Sequence, residues 1–78
     1  MIMGRYYSDL RANKLMAGRL NEWLGFNDIS ARELARRAGI NQSTIYSMTR
    51  GRGNTSVAIF RKVCKAGKID ANWLLGLK

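Results

Sequence analysis

Residues 30–51, SARELARRAGINQSTIYSMTRG, leave the chain little choice but two short helices joined by a tight turn. Ser30 and Glu33 have the spacing of a capping box, in which the serine oxygen accepts the Glu33 amide and the carboxylate reaches back to the serine amide. That places one helix over residues 31–38, turning Leu34, Ala35 and Ala38 inward. Arg32 and Arg36 lie one turn apart on another face, and Glu33 with Arg37 makes a favourably oriented i,i+4 pair. Gly39 ends the helix, since glycine takes positive φ without strain, and Ile40 is expected to plug the core inside the turn. Asn41 then caps a helix over residues 42–49, buried through Ile45 and Met48. Its polar residues, Gln42, Ser43, Tyr46, Ser47 and partly Thr44, are left facing outward.

The flanks extend this helical reading. Residues 1–8 show no period and are expected to form a flexible arm, with residues 9–78 as the domain. Ser8 or Asp9 is a candidate cap for a first helix over residues 9–25, where Met16, Leu20, Trp23 and Leu24 fall on one stripe. A turn over residues 25–28 follows, with Ile29 as a staple before the next cap. Residues 50–54 read as a basic loop. Thr55 or Ser56 caps a fourth helix running to about residue 66, with Val57, Phe60, Val63 and Cys64 inward, and Gly67 is expected to stop it. Asp70 caps a last helix over residues 71–76, carrying Trp73 and Leu74, with Leu77 just beyond. Five short helices, no strand pattern and no proline predict a compact all-α domain.

Charge narrows the function. The 78 residues carry a net charge of +9, and residues 30–68 hold nine basic side chains against the single acid Glu33. Such a surface attracts a polyanion, because each phosphate it neutralises releases condensed counterions. The alternative is a face that merely solubilises. Catalysis finds no footing: there is no histidine, Cys64 has no evident base, and the five acids form no acid–base or metal motif. One cysteine rules out an internal disulfide and a Cys-rich zinc site. No cofactor, metal or small-molecule ligand is therefore expected. The apolar runs are far shorter than the ~20 residues of a membrane span, and the first three residues are too short for a signal-peptide core, so a cytoplasmic protein is expected.

The ordered set Ser30-x-x-Glu33-Leu34-Ala35-x-x-Ala38-Gly39-Ile40-x-Gln42-Ser43-Thr44-Ile45, then Arg50-Gly51 and Asn72-Trp73-Leu74-Leu75-Gly76, resembles the lambdoid phage repressor and Cro family of XRE-like regulators. The resemblance covers residues 17–76, and small residues at Ala35 and Gly39 suit a close helix crossing. It implies a five-helix, lambda-repressor-like domain in which the second and third helices form a helix-turn-helix. It also implies a homodimer on a near-palindromic double-stranded DNA operator, with the third helix in the major groove. Gln42 and Ser43 are then expected to touch bases, joined by Ser47 and, at the margin, Thr44 and Tyr46. A glutamine amide matches the N6 and N7 edge of adenine, whereas serine accepts several bases. Tyr46 either stacks on sugar and thymine methyl or packs back on the second helix. Asn41, Arg50, Arg52, Asn54 and Thr55 are expected at phosphates. Of Arg32 and Arg36, one is expected to touch phosphate and the other only water.

Two departures accompany the resemblance. The family often pairs a glutamate near the end of the third helix with an arginine on the first; Thr49 and Leu24 stand there instead, an apolar replacement. A glutamine that often opens the second helix and braces the recognition glutamine is replaced by Ala31. Competing readings are an antitoxin that also controls its own promoter, the controller of a restriction–modification system, and a non-specific nucleic-acid packager. Trp23 and Trp73 are expected in the core, although Trp73 and Leu77 could instead line a dimer interface. The arm, through Tyr6 and Tyr7, is either disordered or part of an interface.

Overall fold

A computed structural model describes residues 2–52 and 55–78, with side chains from Asn13 onward. It is all-α among the described residues: α1 (Ile2–Asn27), α2 (Ala31–Ala38), α3 (Gln42–Arg50), α4 (Val57–Gly67) and α5 (Ala71–Leu74). Helix α3 packs against α1 and α2, α2 also packs against α4, and α5 closes on α1. The fully buried side chains at the centre are Leu20, Leu34, Ile45, Val63 and Leu74, one from each helix. No described helix is long and apolar enough to cross a membrane.

Helix α1 is longer at both ends than the expected 9–25. Nothing between Ile2 and Asn27 forbids a helix, since proline is absent and an isolated glycine costs only about 1 kcal/mol. The backbone is thus helical where residues 2–8 were expected as a loose arm. At the other end the left-handed residue that closes the helix is Asp28 (φ 54°), with Ile29 N–H bonded to Leu24 O at 3.0 Å. Aspartate tolerates this conformation, so the turn needs no glycine. Met16, Leu20 and Leu24 are buried as the stripe predicts, and Trp23 is half-buried against them.

Helix α2 has the expected bounds. Ser30 Oγ accepts the Glu33 N–H at 3.0 Å. The returning half of the capping box is not made, because the Glu33 carboxylate is held by Arg36 and Arg37; charge-assisted bonds outcompete a neutral amide there. Gly39 sits at φ 70°, and Ile40 N–H reaches Ala35 O at 3.0 Å. A Cβ at Gly39 would meet no atom within 4 Å, so the glycine serves the backbone angle rather than a close crossing. Ala35 supplies the small buried side chain.

Helix α4 corrects two expectations. Val57, predicted inward, is 83% exposed. As the first helical residue its Cβ leans past the helix end, beyond what α4 packs on, and Ile59 joins Phe60, Val63 and Cys64 against the core instead. Gly67 does not stop the helix: it lies inside, and Lys68 takes the left-handed cap at φ 55°. The glycine is there for room, since a Cβ would stand 2.9 Å from Ile69 Cγ1 and 3.0 Å from Trp23 Cη2. Helix α5 is shorter than predicted, ending at Leu74. Asp70 Oδ1 caps it by accepting from Asn72 N–H and Trp73 N–H, and Lys78 Nζ bonds the other carboxylate oxygen at 2.7 Å.

Candidate nucleic-acid interface

The outward face of α3 follows from its inward one. Ile45 and Met48 are buried, so Gln42, Ser43, Tyr46 and Ser47 stand on the exposed side, with Thr44 and Thr49 half-buried at its edges. More than a third of Tyr46 is open to solvent. Asn41 adopts the extended N-cap backbone, but its side chain makes no capping hydrogen bond. Thr44 N–H is taken by Asn41 O at 3.1 Å, whereas the amides of Gln42 and Ser43 lack helical partners, and with the helix dipole behind them they suit an anion.

Two grooves flank this face. One, of about 340 Å³, lies between the start of α2 and the start of α3 and is lined by Arg32, Arg36 and Gln42 together with Ser30, Glu33 and Ile40. The other, of about 330 Å³, lies between α3 and the start of α4 and brings together Thr44, Ser47, Arg52 and Thr55. Local backbone geometry explains the second grouping. Gly51 turns the chain at φ 70° so that Arg52 N–H bonds Ser47 O at 2.9 Å, which returns the chain alongside the helix it has just left. Any Cβ on Gly51 would press on the α1 backbone, 3.3 Å from Lys14 Cα. Of the two candidate caps beyond this loop, Ser56 serves: its Oγ accepts Ile59 N–H at 3.1 Å, and half-buried Thr55 lines the groove.

The three arginines of α2 are not equivalent. The Glu33 carboxylate is bound by Arg36 through Nε at 3.0 Å and Nη2 at 2.5 Å, and by Arg37 Nε at 3.0 Å. These two guanidinium groups pull the Glu33 pKa down to about 2, and Glu33 in turn raises that of Arg36. The carboxylate thus stays charged at any ordinary pH and offsets part of the positive charge beside Gln42. Arg32 is exposed and forms no ion pair among the described residues, as do Arg50 and Arg52. Asn54 lies outside the described residues.

Sequence reasoning missed the brace between α1 and the end of α3. Leu24 is buried, in keeping with an apolar replacement of the expected charged pair, but the polar link survives in another form. One turn earlier, Asn21 Nδ2 donates to Thr49 O at 2.8 Å. A single asparagine on an exposed helix face carries no pattern that would mark it. Thr49 spends its own hydroxyl on Tyr46 O, 2.8 Å away. Arg19 was also missed: it stacks 5.4 Å from the Trp73 ring and donates to the Trp73 and Lys78 carbonyls, tying α5 to α1.

The arrangement offers amide and hydroxyl groups at a helix start, flanked by fixed cations, which suits an edge of bases between two phosphate strands. A protein-family model described as Helix-turn-helix matches residues 27–74, from the end of α1 to the end of α5. No match is found among curated proteins or solved structures.

Proposed function

Because the chain belongs to the helix-turn-helix family of DNA-binding transcriptional regulators, we propose that it is a sequence-specific regulator of the phage repressor or Cro kind. In this reading it acts in the cytoplasm, binding a near-palindromic operator as a homodimer and excluding RNA polymerase from an overlapping promoter. Two copies of α3 enter successive major grooves about 34 Å apart. Gln42, Ser43 and Ser47 read base edges, with Thr44 and Tyr46 at the margin of the same face. Asn41, Arg50, Arg52, Asn54, Thr55 and Arg32 hold phosphates, with Arg32 and Arg52 lining the two different grooves. Arg36 is the weaker phosphate candidate of the α2 pair, since Glu33 already binds it.

The observation that carries this reading is the exposed polar start of α3 set between two grooves that each contain arginine. Substitution of Gln42 tests it. Gln42→Ala should cost about 1–3 kcal/mol on the preferred duplex and relax one base position, while leaving non-specific affinity unchanged. Competition binding against duplexes varied one base at a time reads both effects. An unaltered base preference would remove α3 as the reading element.

A further inference from the structure

We infer that the groove between α4 and the start of α5 docks an acidic amphipathic segment of a partner protein, with apolar side chains on its floor and carboxylates along its rim. This stands apart from the proposed DNA recognition, and either can fail alone. The groove, of about 420 Å³, is lined by Phe60, Arg61, Cys64, Lys65, Ile69 and Ala71. Phe60 and Cys64 are half-buried and Ile69 is buried, which makes the floor apolar. Cys64 belongs to that floor as a neutral thiol, because burial, and then the nearby charge of Asp70, push its pKa up. Arg61 and Lys65 are exposed and sit one helical turn apart on the rim.

Charge selects the occupant. From Val57 to Lys68 the chain carries four cations, Arg61, Lys62, Lys65 and Lys68, and no acid. None of the four forms an ion pair among the described residues. Asp70 adjoins the groove, but its carboxylate caps α5, is paired with Lys78 and lines a different groove with Trp23 and Trp73. Arg61, Lys65 and Lys68 fall at i, i+4 and i+7, a row about 10 Å long. A single small carboxylate would meet one member of that row, whereas a segment with an acid on each helical turn meets all of it. A DNA backbone would match the charge, but its phosphates gain nothing from an apolar floor. None of the lining residues belongs to α2 or α3. Lys65 lies about 12 Å along α4 from Val57, so docking here leaves the outward face of α3 open.

A yeast-displayed library of random peptides of roughly 14 residues, about 21 Å as a helix, supplies the probe, selected at ~150 mM salt on the full 78-residue chain. Selected peptides should combine glutamate or aspartate with leucine, isoleucine or phenylalanine at helical spacing. In heteronuclear NMR of the chain they should shift the amide signals of Phe60, Cys64, Lys65, Ile69 and Ala71, and leave those of Gln42 and Ser43 in place. Arg61→Glu and Lys65→Glu should each weaken them about tenfold, by bringing like charges together. Lys62→Glu makes the same charge change on the same helix but off the groove, and should cost about twofold or less at this screening. All three side chains are exposed, so the thermal midpoints should stay near wild type. Enrichment of no peptide, enrichment of peptides without acids, or shifts confined to another surface would each overturn the assignment. A loss from Lys62→Glu equal to that from Lys65→Glu would overturn it as well, since a diffuse attraction would then suffice. So would a Lys65→Glu variant whose affinity for a random duplex falls as far as that of Arg52→Ala, which would give the row to phosphate.

Discussion

Glu33 restrains the positive charge of α2, and replacing it should strengthen DNA binding while weakening the fold. The carboxylate takes three charge-assisted hydrogen bonds, two from Arg36 and one from Arg37, at 2.5 to 3.0 Å. Glu33→Gln keeps the size and the helix-start position but removes the charge, leaving Arg36 beside Gln42 without its counter-ion. If one released guanidinium then engages a phosphate, the slope of log K against log salt steepens by about 0.9. Between 50 and 200 mM salt log concentration changes by about 0.6, so the variant's advantage over wild type should shrink about 3.5-fold across that interval. Fluorescence anisotropy with a labelled duplex at four or five salt concentrations measures it. The same variant carries a pH signature. The Glu33 pKa is depressed from 4.5 to about 2, so its contribution to stability is fully present above about pH 4.5 and fades as pH falls towards 2. Wild type should lose thermal stability faster than Glu33→Gln over that interval. A flatter salt slope would show that Glu33 presents Arg36 to DNA rather than withholding it, an unchanged slope that the released Arg36 engages no phosphate, and parallel acid melts would remove the ion-pair argument.

Three other substitutions probe the remaining parts of the account. Arg52→Ala should weaken binding to all duplexes alike and flatten the salt slope by about one, measured by the same titration; a loss confined to one sequence would make Arg52 a base contact. Leu20→Ala empties the centre of the core, where Leu20 is wholly buried. It should cost about 3–5 kcal/mol in urea unfolding, against a total of roughly 4–12 for a domain this small. Gly67→Ala should lower the thermal midpoint despite alanine's better helix propensity, because the new methyl crowds Ile69 and Trp23; a raised midpoint would mean that the neighbours yield freely.

What could be read ahead of the structure was what local chemistry announces. The bounds of α2 and the start of α3 follow from Ser30, Gly39 and Asn41, because caps and left-handed residues act within one turn. The start of α1 was hidden because no residue there is required to begin a helix, and its end because Asp28 did the work usually left to glycine. Gly67 was misread for a related reason: a glycine in sequence does not declare whether it is wanted for its backbone angle or for the absence of a side chain, and only Trp23 and Ile69 decide that. At the candidate interface the exposed face of α3 followed from the spacing of Ile45 and Met48. The division of labour among Arg32, Arg36 and Arg37 did not, since it depends on which rotamers converge on Glu33. The Asn21 brace and the Arg19 clasp join residues 28 and 54 positions apart through backbone carbonyls, and such acceptors leave no trace in side-chain pattern.

The central claim is that α3 reads a defined DNA sequence. Selection of bound duplexes from a random ~25-bp pool at ~150 mM salt, using the wild-type chain, tests it most directly. The account predicts enrichment of a near-palindrome whose half-sites lie about one helical turn apart. Retention of duplexes without enrichment of any sequence would contradict it and make the chain a non-specific packager.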